Sequence, residues 1–310
     1  MTPEECVRTV RTDRPLSLRL TVGPLRRGGG DPSMRIGAGG VWRATRTPDG
    51  PVTTHITSDG GGRLTMRAWG AGSTWALETF PSLVGLDDRD DPLDGMALDP
   101  VVADCRRRVP GLRIGRSQAV VEALVPTVLE QKVVGIDAKR SYAHLVRTLG
   151  QPAPGPAGAA GMRVPPAPAT LAATPSYVFH RFGVERKRAD TIRVACTYAG
   201  PLEETVAMAA ADATRRLTAL PGIGPWSAAE VGMVALGDPD AVSVGDYHLP
   251  HQVAWALAGE PRADDARMLE LLEPYRGQRG RVIRLLLAGF TGAAPPRRGP
   301  RMPLRSIAAI

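Results

Sequence analysis

The 310-residue sequence predicts an α+β protein, in which an antiparallel β-rich N-terminal domain precedes an all-α domain. Two observations support this prediction. Residues 1–112 contain alternating apolar and polar stretches separated by glycine clusters, which is typical of short strands and turns. Over residues 113–290 the apolar positions recur instead at helical spacing. A chain of this length buries a sizeable core without help from disulfides or metals.

Two stretches carry the strand prediction in the N-terminal part. Residues 16–22 (LSLRLTV) and 63–69 (RLTMRAW) alternate apolar and polar side chains, which places one face of a strand against a core. Glycine clusters at 28–30, 37–40 and 60–62 supply the turns between such strands.

The helical part begins at about Ser117, after which apolar residues recur at helical spacing up to Leu129. The pair Glu130-Gln131 belongs to the same predicted helix. Pro126 lies inside this helix, so we expect a kink or a break there. Asp137 is the expected N-cap of the next helix, and Gly150 is its expected stop.

Residues 151–169 (QPAPGPAGAAGMRVPPAPA) form a connector in which we expect no regular element. The last segment, 291–310, carries four arginines, no acid and several prolines, and we expect a disordered basic tail there. Between the connector and the tail, helices are predicted at about 170–181, 185–199, 203–210, 212–219, 225–236, 248–258, 264–275 and 279–289.

The composition excludes several classes of protein. Cys6, Cys105 and Cys196 are odd in number and far apart, without zinc or iron–sulfur spacing, which indicates a reducing compartment and no iron–sulfur cluster. The start of the chain has no apolar signal segment, and no run of eighteen apolar residues occurs. We therefore expect a cytoplasmic, nucleoid-associated protein that does not enter a membrane.

The net charge of +8 is unevenly distributed. Residues 111–200 contain twelve Arg and Lys against five Asp and Glu, whereas residues 1–110 are nearly balanced. A basic region of this kind favours a polyanionic partner, although a solvated basic surface explains the charge equally well.

A glycine-rich hairpin is the most informative motif. Residues 217–229 (LTALPGIGPWSAA) read as a helix that ends in a tight turn and restarts at once. Gly222 and Gly224 permit positive φ and a close backbone approach, and Pro225 suits the first position of a helix. A restarting helix offers free N–H groups to an anion such as a DNA phosphate. An ordinary αα-hairpin is the alternative interpretation.

One acid follows the hairpin at a notable distance. Asp246 lies twenty residues after Trp226, behind the short apolar run 242–244. Taken alone, Asp246 is best interpreted as an N-cap for the helix that begins near His248.

Taken together, the hairpin and Asp246 resemble the helix-hairpin-helix DNA glycosylase superfamily, and over residues 10–290 the chain is most similar to the bacterial 3-methyladenine DNA glycosylase II type. The resemblance implies a helix-hairpin-helix glycosylase domain in which Asp246 is the catalytic carboxylate. It implies that the hairpin holds DNA phosphates through Gly222, Ile223 and Gly224. It also implies a structural Na⁺ or K⁺ on the carbonyls of Thr218, Leu220 and Ile223, with no other cofactor.

The resemblance further implies the substrate pocket and the type of reaction. Members that also cleave the DNA strand carry a lysine where this chain has Trp226, so no lyase activity is expected. The chain departs from the family pattern at Glu230 and Leu287, which replace aromatic residues, and at Lys132, which replaces an apolar wedge and is expected to contact DNA. The pocket residues implied are Gln131, Trp226, Glu230, Tyr247 and Leu287.

The expected function is therefore hydrolysis of the N-glycosidic bond of alkylated bases, of the 3-methyladenine type, in base excision repair. The expected partner is double-stranded DNA containing a damaged base, and the expected state is a monomer. Two alternatives remain open: a glycosylase for deaminated or oxidised bases, and a noncatalytic DNA-binding protein that keeps the hairpin.

Overall fold

The computed structural model describes residues 5–89 and 91–296. The N-terminal part contains a five-stranded sheet in which every neighbouring pair is antiparallel. Its strands are β1 (Glu5–Arg11), β2 (Met34–Gly37), β3 (Gly40–Thr47), β4 (Gly50–Ser58) and β5 (Arg63–Trp69), in the spatial order β1-β5-β4-β3-β2. The strand predicted over 63–69 is confirmed. The fold is thus a mixture of helices and an antiparallel sheet, and the domain boundary at residue 112 stays a prediction.

The sheet packs one face against the helix α2 (Ser73–Leu83). Phe80 of this helix is fully buried among sheet residues that include Ile56 and Met66. Alternation of apolar and polar residues produces this arrangement, because successive side chains of a strand point to opposite faces.

The strand predicted over 16–22 is wrong, because this segment forms the short helix α1 (Leu18–Val22). The Ser17 side chain accepts a hydrogen bond from the backbone N–H of Leu20 and caps the helix. Leu18 and Val22, four residues apart, pack against the sheet, whereas Leu20 packs against the C-terminal helices. The segment 16–22 shows alternating apolar residues because its helix has an apolar side chain on each of two sides, and each side packs against a different core.

The rest of the fold is mainly helical. The helices after α2 are α3 (Pro100–Arg108), α4 (Val120–Glu130), α5 (Gly135–Leu149), α6 (Pro156–Ala159), α7 (Pro168–Ala173), α8 (Ser176–His180), α9 (Arg186–Thr197), α10 (Ala199–Glu203), α11 (Ala210–Thr218), α12 (Pro225–Val231), α13 (Leu249–Ala258), α14 (Asp265–Leu272) and α15 (Arg279–Gly289).

These helices form two hydrophobic cores. The first contains α4, α5, α9, α11 and α12, and the second contains α3, α13, α14 and α15. Residues 237–248 connect α12 in the first core to α13 in the second, so this connection lies where the two cores meet.

Several predicted helix boundaries need correction. α4 continues through Pro126, which is buried in its interior, and the helix begins at Val120. Glu203, which is distant in sequence, caps the N-terminus of α4. Its carboxylate accepts hydrogen bonds from the N–H groups of Val120 and Val121 at 2.8 and 2.9 Å. Asp137 lies in the first turn of α5 and is not its N-cap.

Four other predicted helices are divided, and one of them, 264–275, ends in a 3₁₀ turn over Glu273–Tyr275 after α14. The segment 170–181 is split between α7 and α8 next to Pro175, which cannot continue a helix. Residues 204–207 form a 3₁₀ turn after α10, and a π-helical turn over Gly232–Leu236 follows α12.

The connector 151–169 contains regular structure, contrary to prediction. Strands β6 (Gln151–Pro152) and β7 (Arg163–Val164) pair with each other, with α6 between them. Met162 and Val164 are buried with Ala44 of β3, so packing on the sheet orders this small-residue segment.

Part of the predicted disordered tail is ordered. Residues 291–296 return to α13, where the indole N–H of Trp255 donates to the carbonyl of Ala293 at 2.6 Å. The remainder of the tail, 297–310, lies outside the described residues. Over residues 5–89 and 91–296, no helix is long and apolar enough to span a membrane.

Candidate active site

The hairpin connects α11 to α12 through a turn in which the two glycines differ. Gly222 has a φ of +87°, and a Cβ atom there would lie 2.4 Å from the Oγ1 of Thr191 on α9. Gly224 instead has an extended backbone, with φ −103° and ψ −176°, and a Cβ atom there would meet no atom within 4 Å. Only Gly222 therefore uses the positive φ that both glycines permit, and the surroundings of Gly224 are open.

Gln131 supports the hairpin from the end of α4. Its Nε2 donates to the carbonyl of Gly222 and to the Oγ of Ser227, both at 2.9 Å. The buried Arg188 of α9 donates to the carbonyl of Leu129 at 2.8 Å and so orders the same helix end. The structure thus places the Gln131 amide at the hairpin, and a role of Gln131 in the substrate pocket stays a prediction.

Ile223 fixes the hairpin from below. Its side chain is buried in the first core, while its N–H donates to the carbonyl of Leu220 at 3.1 Å. Thr218, whose carbonyl also belongs to the predicted cation site, is the last residue of α11. Backbone carbonyls suit a hard monovalent cation, but one lone pair of Leu220 is already used, and the cation stays a prediction.

Asp246 is held by three donors. Its Oδ1 accepts the N–H groups of His248 and Leu249 at 2.8 and 2.9 Å, at the start of α13. Its Oδ2 accepts the indole N–H of Trp226, which is half-buried in α12, at 3.1 Å. The carboxylate therefore both caps a helix and is oriented by the hairpin helix.

A cleft of about 420 Å³ lies at this carboxylate, between the two helical cores. Asp246, Glu230 and Leu287, which the sequence predicted as site residues, all line it, and the Leu287 side chain is 57% exposed at its rim. Ser243 and Gln252 line it as well, without having been predicted. A separate cavity of similar size, between the sheet and α4, does not contain Asp246.

Glu230 is the second acid of the cleft. Ser243, itself buried, donates its hydroxyl to Glu230 Oε1 at 2.5 Å. Burial raises the pKa of Glu230 above its ordinary value, and the neighbouring carboxylates Glu130 and Asp246 raise it further, whereas the Ser243 hydrogen bond and Arg27 lower it. The cleft therefore contains two carboxyl groups in different surroundings.

Tyr247 and Lys132 lie outside the cleft lining. The Tyr247 ring is 65% exposed and meets the His248 ring edge-on, with 4.8 Å between the centroids. Lys132 is exposed with a left-handed backbone, at φ +54°, in the loop between α4 and α5. Val134 in the same loop and Ile136 in the first turn of α5 are 45% and 46% accessible. This surface thus combines a positive charge with apolar side chains.

The residues that sequence reasoning missed carry weak local signals. Ser243 is three residues before Asp246, but nothing in the sequence connects it to Glu230. Gln131 was assigned to the pocket from the family resemblance, while its amide contacts depend on how α4 meets the hairpin. Arg188 belongs to the basic region 111–200, for which a solvated surface was one interpretation, yet its side chain is buried.

Comparison with known proteins identifies relatives. No family model matches the chain. Over 171 residues, 54% of this chain, the sequence is 30% identical to the probable bifunctional transcriptional activator/DNA repair enzyme AlkA of two Mycobacterium tuberculosis strains. The match covers 34% of each relative, so the chain spans about a third of the length of the curated relatives it matches.

Solved structures share the fold. A 3-methyladenine DNA glycosylase from Archaeoglobus fulgidus matches with a TM-score of 0.77 at 17% identity, covering 90% of this chain and 97% of that one. The Clostridium acetobutylicum 8-oxoguanine glycosylase/lyase, in complex with DNA, matches with 0.67 at 14%, covering 93% and 97%. Together with the hairpin and Asp246, the AlkA sequence match and these shared folds support the resemblance of the chain to the helix-hairpin-helix DNA glycosylase superfamily and to its AlkA-like members.

Proposed function

We propose that this protein is a monofunctional DNA glycosylase that removes alkylated bases, of the 3-methyladenine type, from duplex DNA and leaves an abasic site. One observation carries the proposal: Asp246, oriented by Trp226 and by the N-terminus of α13, lines a cleft directly beyond the hairpin. The expected partner is double-stranded DNA with a damaged base.

The chemistry suits a fixed carboxylate. Cleavage of the N-glycosidic bond develops positive charge on the sugar, and a preorganised anion stabilises that charge and orients the attacking water. The damaged base must first leave the helix stack, which costs a few kcal/mol and least for a damaged or mispaired base. In this proposal the hairpin holds the flanking phosphates through Gly222, Ile223 and Gly224.

We also propose that the protein has no lyase activity. Strand cleavage through a Schiff base requires an amine nucleophile. Trp226 occupies the position at which the family resemblance implies a lysine, and its indole N–H is engaged by Asp246. Borohydride reduction during turnover on lesion-containing DNA is the test: we expect no covalent protein–DNA adduct, and an adduct would contradict this part of the proposal.

Three smaller proposals accompany this function. The hairpin carbonyls of Thr218, Leu220 and Ile223 bind Na⁺ or K⁺. The protein acts as a monomer without a partner protein. It works in the cytoplasm on nucleoid DNA.

Base release by wild-type protein and by Asp246→Asn tests the main proposal. Asparagine keeps an oxygen for the N–H groups of His248 and Leu249 but lacks the negative charge. We expect the variant to bind DNA as the wild type does and to release 3-methyladenine from methylated duplex DNA about 10²- to 10³-fold more slowly.

Duplexes with single hypoxanthine, 8-oxoguanine or uracil bases, assayed in parallel, separate the alternatives. Release of one of these bases, without release of methylated bases, favours a glycosylase for deaminated or oxidised bases. Intact DNA binding with no release from any duplex favours a noncatalytic DNA-binding protein.

A further inference from the structure

Two carboxyl groups line one cleft, and their surroundings differ. Asp246 accepts three hydrogen bonds, two of them from backbone N–H groups at a helix N-terminus, which stabilises its negative charge. Glu230 accepts one hydrogen bond from Ser243 and faces the mainly apolar wall formed by Met233 and Ile283. An apolar wall disfavours a charged carboxylate and favours the neutral acid.

The charges around Glu230 act in both directions. Glu130 and Asp246 disfavour its ionisation, while Arg27, which lies 3.8 Å from Glu130, favours it. Arg19 and Arg284 also line the cleft, and Arg284 is buried with its guanidinium donating to the carbonyls of Leu20 and Arg113. Burial is the largest influence on the pKa of Glu230 and raises it. A carboxyl group with a raised pKa beside a carboxylate that accepts three hydrogen bonds is the usual arrangement for an acid and an anionic stabiliser.

We propose that Glu230 is a general acid that protonates the departing base, so that the substrates of this enzyme include damaged purines that carry no charge at neutral pH. The inference rests on the proposed glycosylase function and adds a substrate class to it. An alkylated purine that is already cationic leaves without a proton donor. An uncharged purine is a poor leaving group until a ring nitrogen is protonated.

The step balances with these two carboxyl groups and water. The bond between C1′ and N9 breaks, and its electron pair goes to N9 as the Glu230 carboxylic acid transfers its proton to N7 of the base. Water adds its oxygen to C1′ and gives a proton to the Asp246 carboxylate. Release of that proton to solvent and uptake of one by Glu230 restore both groups.

Glu230 also has a purely structural interpretation, namely a half-buried acid that joins α12 to Ser243. The two interpretations predict different selectivity. A structural role affects every substrate equally, because it acts on the shape of the cleft. A proton donor affects uncharged bases more than cationic ones.

The experiment measures single-turnover release of hypoxanthine, an uncharged base, and of 7-methylguanine, a cationic one, from otherwise identical duplexes. We expect Glu230→Gln to release hypoxanthine about 10²-fold or more slowly than the wild type. The loss of rate on 7-methylguanine should be at least tenfold smaller. The wild-type rate on hypoxanthine falls at high pH as Glu230 loses its proton, and this alkaline limb is absent in Glu230→Gln.

Two further variants sharpen the test. Ser243→Ala removes the hydrogen bond that lowers the pKa of Glu230, so we expect the alkaline limb to move to higher pH. Glu203→Gln changes another buried acid whose pKa is raised by burial but which does not line the cleft. We expect Glu203→Gln to keep the wild-type ratio of the two rates.

The possible outcomes are distinct. Equal losses on both bases in Glu230→Gln, or an unmoved alkaline limb in Ser243→Ala, overturn the inference. Wild-type protein that releases 7-methylguanine but no hypoxanthine overturns it too, while leaving the proposed function in place. Wild-type protein that releases neither base from any duplex overturns both.

Discussion

The Asp246 carboxylate caps α13 and also lines the cleft. The interpretation as a helix cap is therefore compatible with the proposed catalytic role. The sequence shows its position after the hairpin, because Asp246 is only twenty residues from Trp226 along the chain. The pairing of Glu230 with Ser243 was not visible, since thirteen residues and a π-helical turn separate them.

Loss of the Trp226 donor tests the orientation of Asp246. Trp226→Phe keeps an aromatic ring but removes the N–H that reaches Oδ2, and a hydrogen bond to a charged group contributes about 1.5–3 kcal/mol. We expect base release at least tenfold slower in single-turnover assays. Trp255→Phe, which removes the indole bond to Ala293 away from the cleft, is the matched control and should retain the wild-type rate. Equal rates for the two variants would contradict this role of Trp226.

The raised pKa of Glu230 predicts a pH-dependent cost in stability. In the window from the ordinary value of 4.5 up to the folded pKa, the folded state binds more protons than the unfolded state. The stabilisation is therefore complete below 4.5 and is lost as the pH rises through the folded pKa, with a slope of at most about 1.4 kcal/mol per pH unit.

Urea unfolding of wild type and Glu230→Gln at several pH values measures this effect. We expect the free energy of unfolding of the wild type to fall relative to the variant as the pH rises. A difference that is independent of pH, or that grows in the opposite direction, would show that Glu230 ionises without penalty.

The hairpin shows how an element depends on its neighbours. Gly222 and Gly224 are equivalent in the motif, yet only Gly222 has a left-handed backbone and packs against Thr191, thirty-one residues earlier in the chain. The helix α1 also shows that neighbouring elements decide a local conformation. Its alternating pattern is that of a strand, but two different cores cover its two sides.

Substitution of Gly222 and of Gly224 by alanine, one at a time, tests whether the two glycines differ in their need for a missing side chain. Gly222→Ala imposes a positive φ on a residue with a Cβ and forces a contact with Thr191, so we expect a loss of about 2 kcal/mol or more in unfolding free energy. Gly224→Ala is the control, because its Cβ meets open space, and we expect a change within about 1 kcal/mol. DNA binding by Gly222→Ala should weaken as the hairpin distorts, and similar stability of the two variants would argue against this account.

The molecule as a whole is joined by arginines of α15. Arg281, which is 2% exposed, donates to Asp88 at 2.8 Å in the loop after α2, and also to the carbonyl of Arg89. Arg284 reaches the carbonyls of Leu20 and Arg113, and burial lowers its pKa to about 10. The last helix of the cleft is therefore fixed to segments from the N-terminal part of the chain.

Removal of Arg281 should destabilise the whole fold. Arg281→Ala leaves the Asp88 carboxylate, whose side chain is 7% exposed, without its cation and with the N–H of Ile114 as a donor, and loss of one partner of a buried pair costs about 3–5 kcal/mol. Arg276→Ala, which breaks an exposed pair with Glu273, is the control and should change stability by about 1 kcal/mol or less. Urea unfolding measures both, and a small loss in Arg281→Ala would mean that water reaches Asp88.

The linear order of residues was sufficient for those features whose cause is local. The helical spacing, the hairpin with its glycines and proline, and the acid twenty residues after Trp226 each depend on residues close together in the chain. This was enough to recognise the family resemblance and to nominate Asp246, Glu230 and Leu287, which the fold brings into one cleft.

Other features depended on contacts between distant segments, which no local pattern encodes. Packing on the sheet ordered the connector 151–169, and coverage by two cores made residues 18–22 helical. The amide of Gln131 turned to the hairpin because α4 ends beside it, and burial in the folded protein raised the pKa of Glu230. Desolvation and side-chain pairing arise only when the helices pack, which is why the raised pKa of Glu230 and its hydrogen bond with Ser243 became evident in the folded protein alone.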